Sequence, residues 1–166
     1  MPTRPQLNKD LIAVIGPNGS GKSSVIYTSN IDRAFTFINP DDVASRSYAN
    51  IEDQEKRDLL AWSKCNELRD ELLDAGISFG IETVGSHPSK VEFLHRAKEL
   101  GYVISLLFVA TEDPGINIRR IADRVLKGGH TVPDEKVRLR YYRTLELLPR
   151  YCRKTGMAHH RRSGYG

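Results

Sequence analysis

Leu11-Ile12-Ala13-Val14-Ile15-Gly16-Pro17-Asn18-Gly19-Ser20-Gly21-Lys22-Ser23 is an apolar run that opens directly into G-x-x-x-x-G-K-S. The apolar part is short, branched and uncharged, as a strand buried on both faces must be. Ser24 to Ser29 continues as a helix-compatible stretch, so the glycine pattern sits in strand–loop–helix order. Gly16, Gly19 and Gly21 allow the loop to curl without side-chain clash, and its backbone N–H groups then converge into an anion nest. A helix beginning near Gly21 adds its positive dipole end. Lys22 supplies an ammonium for the β- and γ-phosphates of a nucleotide, and Ser23 a hydroxyl for Mg2+. Gly16, Pro17, Asn18, Gly19, Ser20, Gly21, Lys22, Ser23 and Ser24 are therefore the candidate ATP-binding residues.

Outward from this loop, apolar segments alternate with helix signals. Ala34 to Ile38 reads as a second strand, broken by Asn39-Pro40-Asp41-Asp42. Ile51 to Ala75 reads as a long helix closed by Gly76. Ile77 to Ile81 is a third strand ending at Glu82-Thr83, followed by a helix from Pro88 to Leu100 with Gly101 past its end. Tyr102 to Ala110 is a fourth strand. Asp113 caps a helix entered by Pro114 and running to about Lys127. Gly128-Gly129-His130 interrupts it, and Pro133 opens a last helix to about Leu148. Alternation of this kind gives an α/β fold, a parallel sheet with helices on both faces. Ligands of such sheets bind beyond the carboxyl ends of the strands. That rule gathers Gly16 to Ser23, Asn39 to Asp42, and Glu82-Thr83 into one place.

The 166 residues suit one domain, and charged residues at 28% with apolar ones at 39% fit a soluble globular chain. The longest apolar stretch, Val103 to Ala110, is too short to span a bilayer, and the N-terminus carries no apolar signal region. Cys65 and Cys152 lack metal-ligand spacing and read as reduced thiols of a cytoplasmic protein. The net charge of +4 comes from the end of the chain: residues 150 to 166 carry five basic side chains and no acid, and residues 1 to 149 have a balance of −1. The expected organisation is a domain over residues 1 to 149 and a basic tail from 150 to 166, and a nucleic-acid partner has only that tail in its favour.

Three further groups carry candidate chemistry. Asp41 and Asp42 follow the second strand, where a carboxylate that accepts the proton of an attacking hydroxyl would stand; Asp41 is the preferred base, with capping of the next helix the plain alternative. Glu82 ends a buried strand, so its carboxylate must be paired, solvated or beside a cation. With Thr83 it is a candidate for holding substrate. Arg119, Arg120, Arg124 and Lys127 lie on one helix, and Lys136, Arg138, Arg140 and Arg143 on the next, with Gly128-Gly129 between them. Arginines on a lid about 114–140 would stabilise charge on a transferring phosphoryl group. Most face solvent in any charge-rich helix; Arg124 and then Arg120 are the favoured functional ones. His130, in the hinge, is a weaker candidate for substrate contact.

Taken together, Gly16 to Ser23, Ile38-Asn39-Pro40-Asp41, Glu82-Thr83, Arg120 with Arg124, Gly128-Gly129-His130-Thr131-Val132-Pro133, and Arg138, Arg140, Tyr141 and Arg143 give the chain a resemblance to the zeta-toxin family of P-loop kinases, in particular its small stand-alone members. The match runs from about residue 10 to 149. The resemblance implies a three-layer P-loop kinase-like fold with a helical, arginine-bearing lid. It implies ATP and Mg2+ as cofactors and a small hydroxyl-bearing metabolite as phosphate acceptor, in the best-known branch UDP-N-acetylglucosamine. It further implies Lys22 and Ser23 on ATP and Mg2+, Asp41 as general base, Glu82 and Thr83 facing substrate, Arg124 on the γ-phosphate, and an antitoxin protein as partner. His130 stands about where larger toxins place another arginine. Members of the family carry a further strand after the last helix, and Tyr151 to Arg162 does not read as one. Two other functions keep the same loop: a kinase of nucleotide or polynucleotide ends, and an inactive nucleotide-binding relative with a regulatory role. Neither Asn-Lys-x-Asp in a late position nor Leu-Ser-Gly-Gly occurs, which sets aside GTPase and transporter-ATPase readings.

Overall fold

The computed structural model describes residues 9 to 156. Strands β1 (Asp10–Ile15), β2 (Phe37–Ile38), β3 (Phe79–Thr83) and β4 (Val103–Phe108) form one sheet in the order β2-β3-β1-β4. All three pairings are parallel, with Leu11 opposite Phe79, Asp10 opposite Val103 and Phe37 opposite Gly80. The helices are α1 (Lys22–Thr28), α2 (Ile31–Ala34), α3 (Pro40–Ser47), α4 (Gln54–Ala75), α5 (Pro88–Glu99), α6 (Pro114–Leu126) and α7 (Asp134–Thr155). Alternation along β1 sends Leu11, Ala13 and Ile15 to one face, where they join Phe79, Ile81, Leu73, Val91, Leu94 and Tyr151 in a buried core. Val14 points the other way and is buried too. The expectation of a central strand covered on both sides therefore holds for β1.

The caps follow local chemistry. The Asp113 carboxylate accepts from the Gly115 N–H at 2.6 Å and Pro114 opens α6; Asp53 accepts from the Lys56 N–H at 3.0 Å and starts α4. Gly76, at φ 67, ends α4, and the Ile77 N–H returns to the Leu72 carbonyl at 3.1 Å. That bond explains the first correction. Ile77 belongs to the helix cap, so β3 starts at Phe79 rather than Ile77, and it ends at Glu82-Thr83 as expected.

Two other elements differ from the sequence reading. Ala34 to Ile38 was expected to be a strand, but Ile31–Ala34 is a helical turn and only Phe37–Ile38 pairs. The Asn39 side chain accepts from the Asp41 N–H at 2.9 Å, which commits the chain to α3 immediately after Ile38. The last helix was expected to close near Leu148, with a tail from residue 150; α7 instead continues to Thr155, through Pro149. Proline removes one donor from the ladder. Tyr151 offsets that loss: it is fully buried, and its hydroxyl donates to the Gly85 carbonyl at 2.9 Å. Residues 150 to 155 thus belong to the fold, and the remainder of the expected tail lies beyond the described residues. Among those residues the sheet has four strands, and no helix is long and apolar enough to cross a membrane.

Tyr151→Ala is expected to cost about 3–5 kcal/mol, the range for removing a buried aromatic ring. Urea unfolding reads this directly. A cost near zero would return Arg150 and its neighbours to a tail.

Candidate functional site

Three strand ends bring the chemistry together. β1 ends in the glycine loop, β2 in Asn39 to Asp42, and β3 in Glu82-Thr83. Gly16 is held against both neighbours: its N–H donates to the Thr83 carbonyl at 3.2 Å, and a Cβ there would lie 2.0 Å from the Val109 carbonyl. Gly19 and Gly21 take φ 76 and 100, the left-handed region that glycine enters without penalty. A Cβ on Gly19 would stand 2.6 Å from the Asn117 carbonyl. At Gly16 and Gly19 only a bare backbone fits.

Lys22, in the first turn of α1, is buried and donates to the Pro17 carbonyl at 3.1 Å. Burial lowers its pKa; Glu82 and Asp41 oppose that shift, and the Arg124 charge adds to it. All three groups are thus within electrostatic reach of the ammonium. Glu82 is tied down on two sides. It accepts from the Ser23 hydroxyl at 3.1 and 3.3 Å and from Asn39 Nδ2 at 2.9 Å. Burial pushes its carboxyl pKa upward, against the pull of Lys22 and the Ser23 hydrogen bond. The expectation that a strand-end acid here needs a partner is met by Ser23, Asn39 and Lys22 together. Asp41 and Asp42 stand exposed in the first turn of α3. Thr83 is half-buried, and its carbonyl anchors Gly16. Ser24 is exposed behind Ser23.

The two arginines favoured from sequence take different positions. Arg120 Nη1 reaches the Ser20 carbonyl at 3.3 Å, so it sits on the loop. Arg124 Nη2 donates to the His130 carbonyl at 2.8 Å, which ties the helix end to the hinge. His130 itself is exposed. The structure adds a set that sequence reasoning did not place in the site. Asn117 is fully buried; its Nδ2 donates to the Asn18 carbonyl at 2.8 Å, and its Oδ1 accepts from the Thr111 hydroxyl. Arg140 Nη1, from α7, donates to Asn18 Oδ1 at 3.2 Å. Asn117 gave no signal in the sequence beyond being a polar residue in an apolar helix face. Arg140 entered the sequence reading as one basic residue of the closing helix and one residue of the family resemblance, with no contact assigned to it.

As an arrangement, the site offers a glycine cradle, a buried ammonium, two oxygen donors in contact (Ser23 and Glu82), an exposed carboxylate pair, and cations from α6 and α7. It is suited to gripping an anion of several charges and moving a proton beside it.

The family model described as zeta toxin matches residues 2–159. An uncharacterized protein of Haemophilus influenzae is 31% identical over 126 residues, which is 76% of this chain and 88% of that protein. Among solved structures, a candidate kinase from Chloroflexus aurantiacus superposes with a TM-score of 0.61 at 12% identity, covering 82% of this chain and 78% of that one. A structure from the PezAT chromosomal toxin–antitoxin system of Streptococcus pneumoniae superposes with a TM-score of 0.58 at 18% identity, covering 75% of this chain and 58% of that one. At these identities the two structures carry the fold alone.

Asn117→Ala leaves the Asn18 carbonyl and the Thr111 hydroxyl without their buried partner. A loss of about 2 kcal/mol or more is expected, read as a lower denaturation midpoint. An unchanged midpoint would mean that the loop does not depend on α6.

Proposed function

The chain belongs to the zeta-toxin family, and from that premise we propose that it is an ATP-dependent kinase acting on a hydroxyl of a small metabolite. Kinase-type phosphotransfer has the family and the shared fold of the Chloroflexus protein behind it. The finer reading is carried by one observation. The buried ammonium of Lys22 lies among Glu82, Asp41 and Arg124 at the mouth of a glycine loop.

In this reading the backbone N–H groups of Gly19 to Ser23 and the Lys22 ammonium hold the β- and γ-phosphates of ATP. A hard, oxygen-seeking Mg2+ fits the Ser23 hydroxyl and the Glu82 carboxylate, which already lie 3.1 and 3.3 Å apart. When bound it neutralises phosphate charge. Asp41 takes the proton of the attacking acceptor hydroxyl as its oxygen bonds to the γ-phosphorus and ADP leaves. Arg120, on the Ser20 carbonyl, and Arg124 stabilise negative charge on the equatorial oxygens. Asp42, Glu82 and Thr83 orient the acceptor, and His130 borders it from the hinge. A nucleotide sugar such as UDP-N-acetylglucosamine is the first acceptor to test. The origin of one structural neighbour in a toxin–antitoxin system supports looking for an antitoxin protein as partner.

The test is incubation of the purified chain with labelled ATP, Mg2+ and a panel of nucleotide sugars, sugars and nucleotides, followed by mass analysis. One metabolite is expected to gain a phosphate. Lys22→Ala is expected to abolish the transfer with the fold intact, and full transfer by that variant would sink the assignment. Asp41→Asn is expected to lower kcat by about 10²-fold or more while leaving ATP affinity close to wild type. Equal turnover would move the base to Asp42 or Glu82.

A further inference from the structure

A groove of about 560 Å³ runs between α4 and α5 and is lined by Trp62, Asn66, Arg69, Ser89, Lys90 and His95, among others. Its lining holds three cations, Arg69, Lys90 and Arg96, and three carboxylates, Asp70, Glu92 and Glu99, but they are unevenly paired. Each carboxylate already has a partner. Asp70 is bridged by Arg96 at 2.7 Å, Glu92 by Arg150 at 3.2 Å, and Glu99 by His95 at 3.5 Å. Arg69 and Lys90 have no carboxylate within 4.0 Å among the described residues.

Both cations are poorly solvated. Arg69 is 2% exposed. Its Nη2 makes two long contacts of 3.4 Å, to the Ile38 and Glu82 carbonyls, and its Nε has no partner. Lys90 donates to Asn66 Oδ1 at 3.1 Å and lies 5.6 Å from the centre of the Trp62 ring. Burial, and then the charge of Arg69, bring its pKa down to about 8, against the opposing pull of Cys65 and Asp70. A second buried atom on the same groove, His95 Nδ1, also lacks a partner. Two cations without a carboxylate in contact, in a half-dry cleft, repel each other and carry a desolvation cost. An anion entering between them gains both attractions and removes that repulsion.

The position of the groove gives this anion a role. Arg69 touches the last carbonyl of β2 and the Glu82 carbonyl of β3, and the residues that follow those carbonyls are Asn39 and Thr83. The groove therefore abuts the side of the site where Asp41 and Asp42 stand, away from the face of the glycine loop contacted by α6 and α7. Trp62 is 51% exposed beside it, a flat apolar surface for a ring. We propose that this groove is a phosphate-binding subsite for the acceptor, in which Lys90 and Arg69 hold a phosphate group already present on the metabolite and Trp62 packs against the moiety next to it. Naming the ligand as the acceptor rests on the kinase reading above; the anion site itself does not.

Trp62 is the chain's one tryptophan, so its emission reports on the groove without a label. The probes are inorganic phosphate and pyrophosphate, titrated into the full chain without ATP, with calorimetry alongside. A saturable change in emission is expected. Lys90→Gln should weaken binding by about tenfold or more, the loss of one charge-assisted contact, and Arg69→Met should weaken it similarly. Lys90 is half-exposed, so its variant keeps the test decisive if Arg69→Met misfolds. Binding in the groove should survive Lys22→Ala, which removes the phosphate grip of the glycine loop. No saturable signal, a signal indifferent to Lys90→Gln, or one lost in Lys22→Ala would each overturn the subsite. The two readings fail separately. A chain that binds phosphate here and transfers nothing overturns the kinase and leaves the anion site standing. A chain that transfers phosphate without groove binding overturns the subsite alone.

Discussion

The fold turns on how little room surrounds the glycine loop. At Gly16 a single methyl would collide with the end of β4, and at Gly19 with the backbone of α6. These contacts make the loop a wedge between the sheet and the helices that follow β4. Asn117 and Arg120 from α6 and Arg140 from α7 then fasten to the Asn18 and Ser20 backbone and to the Asn18 side chain. α6 and α7 are thus fixed to the loop through Asn117, Arg120 and Arg140. Motion, if it serves the chemistry, is left to the segment around Gly128 and Gly129, where Arg124 reaches back to His130.

Local chemistry made much of this legible before any coordinates. β1, α5 and α6 each carry their own signals: an unbroken apolar run, a proline at the first turn, a capping aspartate. The elements misjudged are those whose extent is set from outside. β2 is two residues long because Asn39 diverts the chain into α3, and β3 starts late because Ile77 closes the cap of α4. α7 was expected to end near Leu148, before the basic run from residue 150. The buried ring of Tyr151, locked to Gly85, is a tertiary reason for the helix to go on, and a sequence pattern has no access to it.

The site divides along the same line. Lys22, Ser23 and Glu82 were legible because each has a role fixed by its own neighbourhood: a loop motif, or an acid where an apolar residue belongs. Arg140, Asn117 and Arg69 were not. Each lies on a helix rich in polar residues, and its meaning depends on a partner at least 13 residues away in sequence, such as the Glu82 carbonyl for Arg69 and Asn18 for the other two. Burial of a charge is a property of packing, and only packing separates Arg69 from the solvated arginines around it.

In the proposed kinase reading, the distribution of charge would orient the acceptor. Around Lys22 the exposed groups that follow β2 are acids, Asp41 and Asp42. In the groove between α4 and α5 the cations without a carboxylate in contact, among the described residues, are Lys90 and Arg69. An acceptor with a phosphate at one end and a free hydroxyl at the other meets repulsion in one orientation and attraction in the other. Its phosphate is driven into the groove and its hydroxyl toward Asp41. In that reading the γ-phosphate of ATP, also anionic, would be held by the glycine loop and Lys22, so the two anions would occupy separate cationic sites. Such a separation would keep the acceptor phosphate from competing for the loop, and would leave the hydroxyl as the group of the acceptor that the acids admit.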